Sequence, residues 1–262
     1  MYQGRNNRPN LPFTKKKPNE HDMVFGIRPV QEALRSGKEL DKLFVEKALK
    51  SPVVDEIVSL AREQNVYIQY VPEEKLNRLT RKAHQGIVAF VSIVNYAKIE
   101  NIVMDIFANG QEPLILVLDG VTDVRNFGAI SRSAECAGAH AILIPVKGSA
   151  QVNSDALKTS AGALNYIPIC KSDDLYKSVR YLKDSGLTVV ACTEKGKEKI
   201  YDTPLKGPLC LVVGSEETGI SNAVMSLADY TSYIPLLGKV ESLNVSVASG
   251  VCLFETLRQR NI

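Results

Sequence analysis

The amino-acid sequence predicts an α/β protein in two parts, a small α/β unit followed by a larger one built on a mostly parallel sheet. Three observations carry that prediction. Apolar runs of strand length recur along the chain, and segments with apolar residues three and four apart lie between them. A composition 45% apolar and 23% charged over 262 residues supplies a core of ordinary globular size.

The elements follow in order. Residues 1–22, MYQGRNNRPNLPFTKKKPNEHD, are rich in Asn, Pro, Lys and Arg and have no apolar period, which reads as a basic disordered tail or an arm that orders on binding. Residues 23–96 form the small unit. VFGIRPVQEALRSG gives a helix entered after Gly26 and closed near Gly37, and LDKLFVEK gives a strand. Val54, Ile57, Val58 and Ala61 fall at helical spacing with Asn65 as the stop. VYIQYV is a second strand, PEEKLNRLTR a short helix and GIVAFVS a third strand. Residues 97–112 form a connector, a helix ending at Asn109 and Gly110. From residue 113 to 262, the runs LILVLD, HAILIP, LTVVACT, LCLVVG and YTSYIPL read as strands, with helices at GAISRSAECAGA and DDLYKSVRYLKDSG. That alternation predicts a parallel sheet covered on both faces.

The formal net charge of +3 is unevenly placed. The first 22 residues hold five basic and two acidic side chains, residues 23–96 eleven and nine, and the remainder sixteen and eighteen. Attraction to a polyanion is therefore weighted toward the front. Five cysteines without a CxxC pair and three histidines without ligand spacing point away from a disulfide framework or a metal site. No run approaches the ~18 apolar residues of a membrane span, and the front lacks the apolar stretch of a signal peptide. A cytoplasmic protein that binds neither membrane nor metal is expected.

Ligands of open α/β sheets bind at the carboxyl ends of strands, and three loops of the second part sit there. LDGVTDVRNFGAISR places Asn126, Gly128 and Arg132 at a helix entry. LVVGSEETGIS is a near miss to the phosphate-binding GxxxxGK[ST], with Ile220 where lysine is required, which excludes a nucleotide triphosphate site of that type. IPLLGKVESLNVSVASG packs Ser242, Asn244 and Ser246 before a helix whose Ser246, Ser249 and Gly250 are small. Neither the GxGxxG of a dinucleotide fold nor the GxSxG of a hydrolase is present.

Together, NFGAISR, VVGSEETGI and IPLLGKVESLNVSVASGVCLFE resemble, in order and spacing, the three motifs of the SpoU (TrmH) family of RNA ribose 2′-O-methyltransferases in the SPOUT superfamily. FGIRPVQEAL and AHQGIVAFV are similar to the ends of the small, L30e-like RNA-binding domain that precedes the catalytic domain in many members. The resemblance implies a SPOUT-type parallel sheet with a C-terminal trefoil knot, S-adenosyl-L-methionine as cofactor and an RNA substrate. It also implies a homodimer. Within the family the likeness is to bacterial enzymes that methylate a guanosine ribose in 23S rRNA, with tRNA as the alternative substrate. A noncatalytic RNA-binding or ribosome-assembly protein is the alternative of another class.

The resemblance carries catalytic roles to Asn126, Arg132, Glu216, Ser242 and Asn244, and cofactor contacts to Thr193, Gly214, Ile234 and Leu243. In the family the cofactor is gripped mainly by backbone, which explains why no side-chain signature marks its site.

Overall fold

The computed structural model describes residues 23–260; the basic tail expected over residues 1–22 lies outside them. The front body runs β1 (Met23–Phe25), α1 (Ile27–Arg35), β2 (Leu40–Glu46), α2 (Pro52–Glu63), β3 (Tyr67–Val71), α3 (Glu73–Leu79) and β4 (Ile87–Val91). Its sheet has the order β1-β4-β2-β3, with β2 and β3 parallel and β4 antiparallel to both of its neighbours. The α2 helix begins where Ser51 Oγ accepts the Val54 amide at 3.3 Å with Pro52 at the first helical position, the combination that satisfies an otherwise orphaned N–H. It stops at Asn65, which takes a left-handed φ of 55°, as the sequence predicts. One face of the sheet, through Leu43, Val45, Ile87 and Ala89, packs on α1 and α2. The other, through Phe44, Val88 and Phe90, packs on Leu76 and Leu79 of α3 among the described residues.

The second body contains β5 (Tyr96–Ala97), α4 (Ile99–Ala108), β6 (Leu114–Asp119), α5 (Val124–Cys136), β7 (Ala141–Pro145), α6 (Ser154–Thr159) and a 3-10 turn at Ala163–Asn165. After these come β8 (Ile169–Ser172), α7 (Leu175–Asp184), β9 (Thr188–Cys192), β10 (Glu198–Lys199), β11 (Leu209–Gly214), α8 (Asn222–Met225), β12 (Tyr230–Tyr233) and α9 (Val245–Arg260). Eight strands in the order β10-β12-β9-β11-β6-β7-β8-β5 pair parallel throughout. Leu114, Leu116 and Leu118 join the layer that holds α5 and α9, while Ile115 and Val117 join the layer of α4 and α7. Burial on both faces is why these strands read as unbroken apolar runs.

Several departures from the sequence reading have physical causes. The strands β5 and β10 are two residues long and β1 is three, too short for any period to show. The strand β8, ICKS, carries a lysine, and that lysine is committed to the joint between the two bodies. Lys171 Nζ lies 2.8 Å from Asp41 of β2, both side chains being nearly fully buried. Asp41 also accepts the Val152 amide at 2.9 Å and the Tyr96 hydroxyl. Finally, the connector helix α4 is part of the second core through Ile99, Val103 and Ile106. No helix among the described residues is long and apolar enough to cross a membrane.

Candidate active site

The three loops singled out in the sequence meet at the carboxyl edge of the sheet. After β6, Asp123 caps α5 by accepting the Arg125 and Asn126 amides, each at 2.8 Å. The helix therefore starts two residues earlier than Asn126. Gly128 lets it lie against α6, since a Cβ there would sit 2.7 Å from Thr159 Cβ and 2.8 Å from the Ala156 carbonyl.

After β11 the chain turns back on itself, Ser215 and Gly219 exchanging backbone hydrogen bonds of 3.2 and 3.0 Å. A Cβ on Gly214 would lie 2.2 Å from the Gly219 carbonyl carbon and 2.3 Å from Ile220 N. Approaches that short are impossible with backbone, so the fold-back demands glycine. Ser221 N donates to Asp119 at 2.8 Å, which ties this loop to the end of β6.

The fold-back presents Glu216 to both remaining loops. Its Oε1 accepts from Asn244 Nδ2 at 2.7 Å, from the Val245 amide at 3.1 Å and from Asn126 Nδ2 at 3.3 Å. Asn244 Nδ2 also reaches Asn126 Oδ1 at 3.0 Å. Asn244 in turn caps α9, its Oδ1 accepting from Ser246 N at 3.0 Å and Ser246 Oγ at 2.5 Å. One carboxylate thus fastens the starts of two helices, where negative charge is favoured by the exposed N–H groups and the helix dipole.

Beside this cluster lies a cleft of about 540 Å³. Thr193, Gly214, Glu216, Ile234, Ser242, Leu243 and Asn244 all line it, whereas Asn126 and Arg132 do not. Its wall is unusual in one respect. Residues 234–243 make no backbone hydrogen bond to any described residue. Ile234, Leu236, Glu241, Ser242 and Leu243 of this run line the cleft, and residues 236–243 are exposed, so their peptide groups are open to water or to a bound molecule. The cleft is also within the size range of small-molecule sites, and its apolar wall includes Ile234 and Leu243. These features fit a nucleoside cofactor held by backbone.

Sequence reasoning missed Cys192 and Cys252, which also line the cleft. A hydrogen bond to Cys252 and burial push the Cys192 thiol well above its ordinary range, which disfavours the thiolate. Arg132 is exposed on α5 and makes no hydrogen bond or ion pair with a described residue. It lies six residues, about 9 Å along the helix axis, beyond Asn126. Arg125, seven residues before Arg132, shares that helix face and is likewise exposed; Asp123, the N-cap of α5, is the signal that would have placed the helix start before both, and the sequence reading did not use it. Among the described residues no group of three His, Cys, Asp or Glu side chains is placed to hold a metal ion.

A parallel sheet with a cleft of this size at its carboxyl edge defines an α/β protein with a small-molecule site at its strand ends. The comparisons with known proteins make that class specific. Residues 113–254 match the SpoU rRNA Methylase family, and residues 23–97 match the RNA 2′-O ribose methyltransferase substrate binding family. The chain belongs to the SpoU family of RNA methylases. It is 35% identical over 242 residues to the 23S rRNA (guanosine-2′-O-)-methyltransferase RlmB of Escherichia coli K12, covering 92% of this chain and 99% of that protein. It is 34% identical over 242 residues to YacO of Bacillus subtilis, which carries a TrmH family tRNA/rRNA methyltransferase name, covering 92% and 97%. The crystal structure of the SpoU methyltransferase AviRb from Streptomyces viridochromogenes with the cofactor AdoMet superposes with a TM-score of 0.56 at 26% identity, covering 90% of this chain and 89% of that one.

Proposed function

We propose that the chain transfers a methyl group from S-adenosyl-L-methionine to a ribose 2′-hydroxyl of RNA, and that its target is a guanosine of 23S rRNA. The observation that carries this reading is the meeting of Asn126, Glu216 and Asn244 beside an open-backbone cleft. Gly214, Ile234 and Leu243 hold the cofactor through their main chain, with Thr193 at its edge. When bound, S-adenosylmethionine would supply a methyl carbon on a sulfonium, to which an aligned hydroxyl oxygen could bond as the S–CH3 bond breaks and S-adenosylhomocysteine leaves as the neutral thioether. Alignment of reacting groups is worth up to roughly 7–11 kcal/mol, and supplying it is the work of the Asn126–Glu216–Asn244 cluster with Ser242.

A guanidinium offers N–H donors and no acceptor, so Arg132 cannot itself accept the hydroxyl proton. It binds the phosphate beside the target ribose and steadies the oxygen as negative charge grows, while that phosphate or water takes the proton. The guanosine and 23S rRNA assignments rest on the RlmB relatives. The tRNA/rRNA designation of YacO keeps tRNA as the second reading.

The division of labour follows the charge. Residues 23–96 select the RNA, 97–112 connect, and 113–262 carry out the chemistry, in the cytoplasm where such RNA is modified. The threading of the C-terminal segment into a trefoil knot is supported by strand order. The inner strand β11 lies between β6 and β9, β12 passes outside β9, and α9 returns to pack its Cys252 and Leu253 in the core shared with α5. A homodimer is supported by α9, which buries its small Ser249 face in the chain yet leaves Val247 51% and Phe254 50% exposed.

The test is transfer of labelled methyl from S-adenosylmethionine to unmodified 23S rRNA and to tRNA transcripts. Label in 23S rRNA alone supports the assignment, and label in tRNA alone replaces it with the second reading.

A further inference from the structure

The second face of the front sheet carries a cluster that the fold does not use. Lys42 and Tyr67 are register partners on β2 and β3, and Lys42 Nζ stands 4.9 Å from the Tyr67 ring centre and 4.8 Å from that of Phe44. Lys75 Nζ, coming from α3, lies 5.0 Å from the same Phe44 ring. Phe44 is buried edge-on against Phe90, ring centres 5.7 Å apart. Arg78 extends the basic track along α3 beside a small concavity that it shares with Pro72, Glu74 and Lys75.

A packing role explains the lysine stems, since long alkyl chains often cover aromatic surface. It does not explain why two ammonium groups converge on one ring. Attraction to the ring faces contributes to each, but neither ammonium pairs with a carboxylate among the described residues. The neighbouring Asp41 is spent on Lys171, Val152 and Tyr96. Burial, and then the Lys75 charge, pull the Lys42 ammonium below its ordinary range against a weaker pull from Asp41. Two like charges held together, with no carboxylate among the described residues in ion-pair contact with either, are complementary to an anion.

We propose that this face is where the front body grips the substrate strand, Lys42 and Lys75 each neutralising one phosphate of the RNA and Arg78 continuing the track. The inference rests on the reading that the chain acts on RNA. It adds the surface that docks the strand and the type of contact. Phosphate contacts set affinity and register without reading sequence, so Lys42 and Lys75 position the strand, and selection of the target falls to other contacts of the front body. The opposite face of the sheet is closed by α1 and α2, which leaves the α3 side as the one a strand can reach.

The experiment uses the full chain and a 23S rRNA transcript, with affinity measured as a function of KCl concentration. In K42Q/K75Q the slope of log affinity against log salt should become shallower by about 1.4, at about 0.7 for each single-strand phosphate that is no longer neutralised. KM for the transcript should rise while turnover at saturating RNA and the affinity for S-adenosylmethionine stay at wild-type values. K42R/K75R should restore the slope. Lys75 is exposed on its helix, so K75Q alone, shallower by about 0.7, serves if the double variant does not fold. Arg62→Gln, on α2 across the sheet, should leave the slope unchanged. A wild-type slope in K42Q/K75Q or K75Q, or an equal loss in Arg62→Gln, overturns the proposed surface. A wild-type chain that methylates no transcript overturns the functional reading itself, a result distinct from active enzyme with an unchanged slope.

Discussion

Asn244 donates its side-chain amide to Glu216 at 2.7 Å, joining the start of the last helix to the fold-back after β11. Because Asn126 donates to the same carboxylate oxygen, the start of α5 is fixed by the same atom. Arg132 then rides on a helix whose origin is set by Glu216, although the two side chains do not touch.

Removing that carboxylate should unfasten both helices at once. Hydrogen bonds to a charged group are worth about 1.5–3 kcal/mol, so Glu216→Ala should lower single-turnover methyl transfer roughly 10- to 100-fold. Glu216→Gln keeps an acceptor oxygen and should lose less. Equal losses in the two variants, measured at saturating RNA and cofactor, would contradict the fastening role.

Arg132→Ala should act on turnover alone. Preorganised groups facing developing charge are worth about 10²- to 10³-fold in rate, and Arg132 does not line the cleft. Calorimetry should therefore give a wild-type affinity for S-adenosylmethionine in a variant whose turnover has collapsed. Near-normal turnover would remove Arg132 from the mechanism.

Gly214→Ala should behave in the opposite way. Its Cβ would meet backbone at 2.2 Å, so the fold-back must shift and carry the cleft wall with it. Cofactor affinity should fall by at least tenfold, about 1.4 kcal/mol, and a titration showing unchanged binding would mean that the wall can give way without cost.

Asp41→Ala leaves Lys171 charged and buried at the joint between the bodies. Breaking a buried ion pair by removing one partner typically costs about 3–5 kcal/mol. Urea unfolding should register a loss of that order, and a loss below about 1 kcal/mol would place the pair in the range of exposed surface bridges.

Stability should also decline on the alkaline side. Burial pushes the Cys170 thiol up to about 12 and raises Cys210 as well, and burial followed by the Asp41 charge raises the Tyr96 phenol. The unfolded chain releases thiol protons near pH ~8.5, before the native state does. The stabilisation is complete below that pH and is lost as pH climbs toward 12, at up to about 1.4 kcal/mol per pH unit per group. Cys170→Ala should flatten the fall in the urea midpoint above pH ~8.5; an identical pH dependence would assign the effect elsewhere.

The fold was legible where burial imposes a period. Ile115 and Val117 face one layer while Leu116 and Leu118 face the other, and such a strand cannot hide in a sequence. The strand ICKS did hide, because Lys171 sits there to meet a residue 130 positions away, and no local rule reports so distant a partner. The site divides in the same way. Glycines and amides at strand ends marked Gly214, Asn126 and Asn244 as candidates. The meeting of Asn126, Glu216 and Asn244, spread over 118 residues, became an expectation only through the family resemblance. Residues 234–243, whose backbone bonds to no described residue, had no signature, since main-chain groups are the same whatever the side chains. On α9 the small Ser249 is fully buried while Val247 and Phe254 are half exposed, an orientation that depends on which elements pack against the helix and that no local pattern reports.

The central claim is that this site methylates a ribose oxygen of RNA. The most direct test incubates wild-type protein and Arg132→Ala with S-adenosylmethionine and total RNA lacking the modification, then maps ribose-methylated nucleotides. The account predicts a new 2′-O-methyl group at a guanosine of 23S rRNA with the wild type and none with the variant. Methylation on a base, or equal ribose methylation by both proteins, would contradict it.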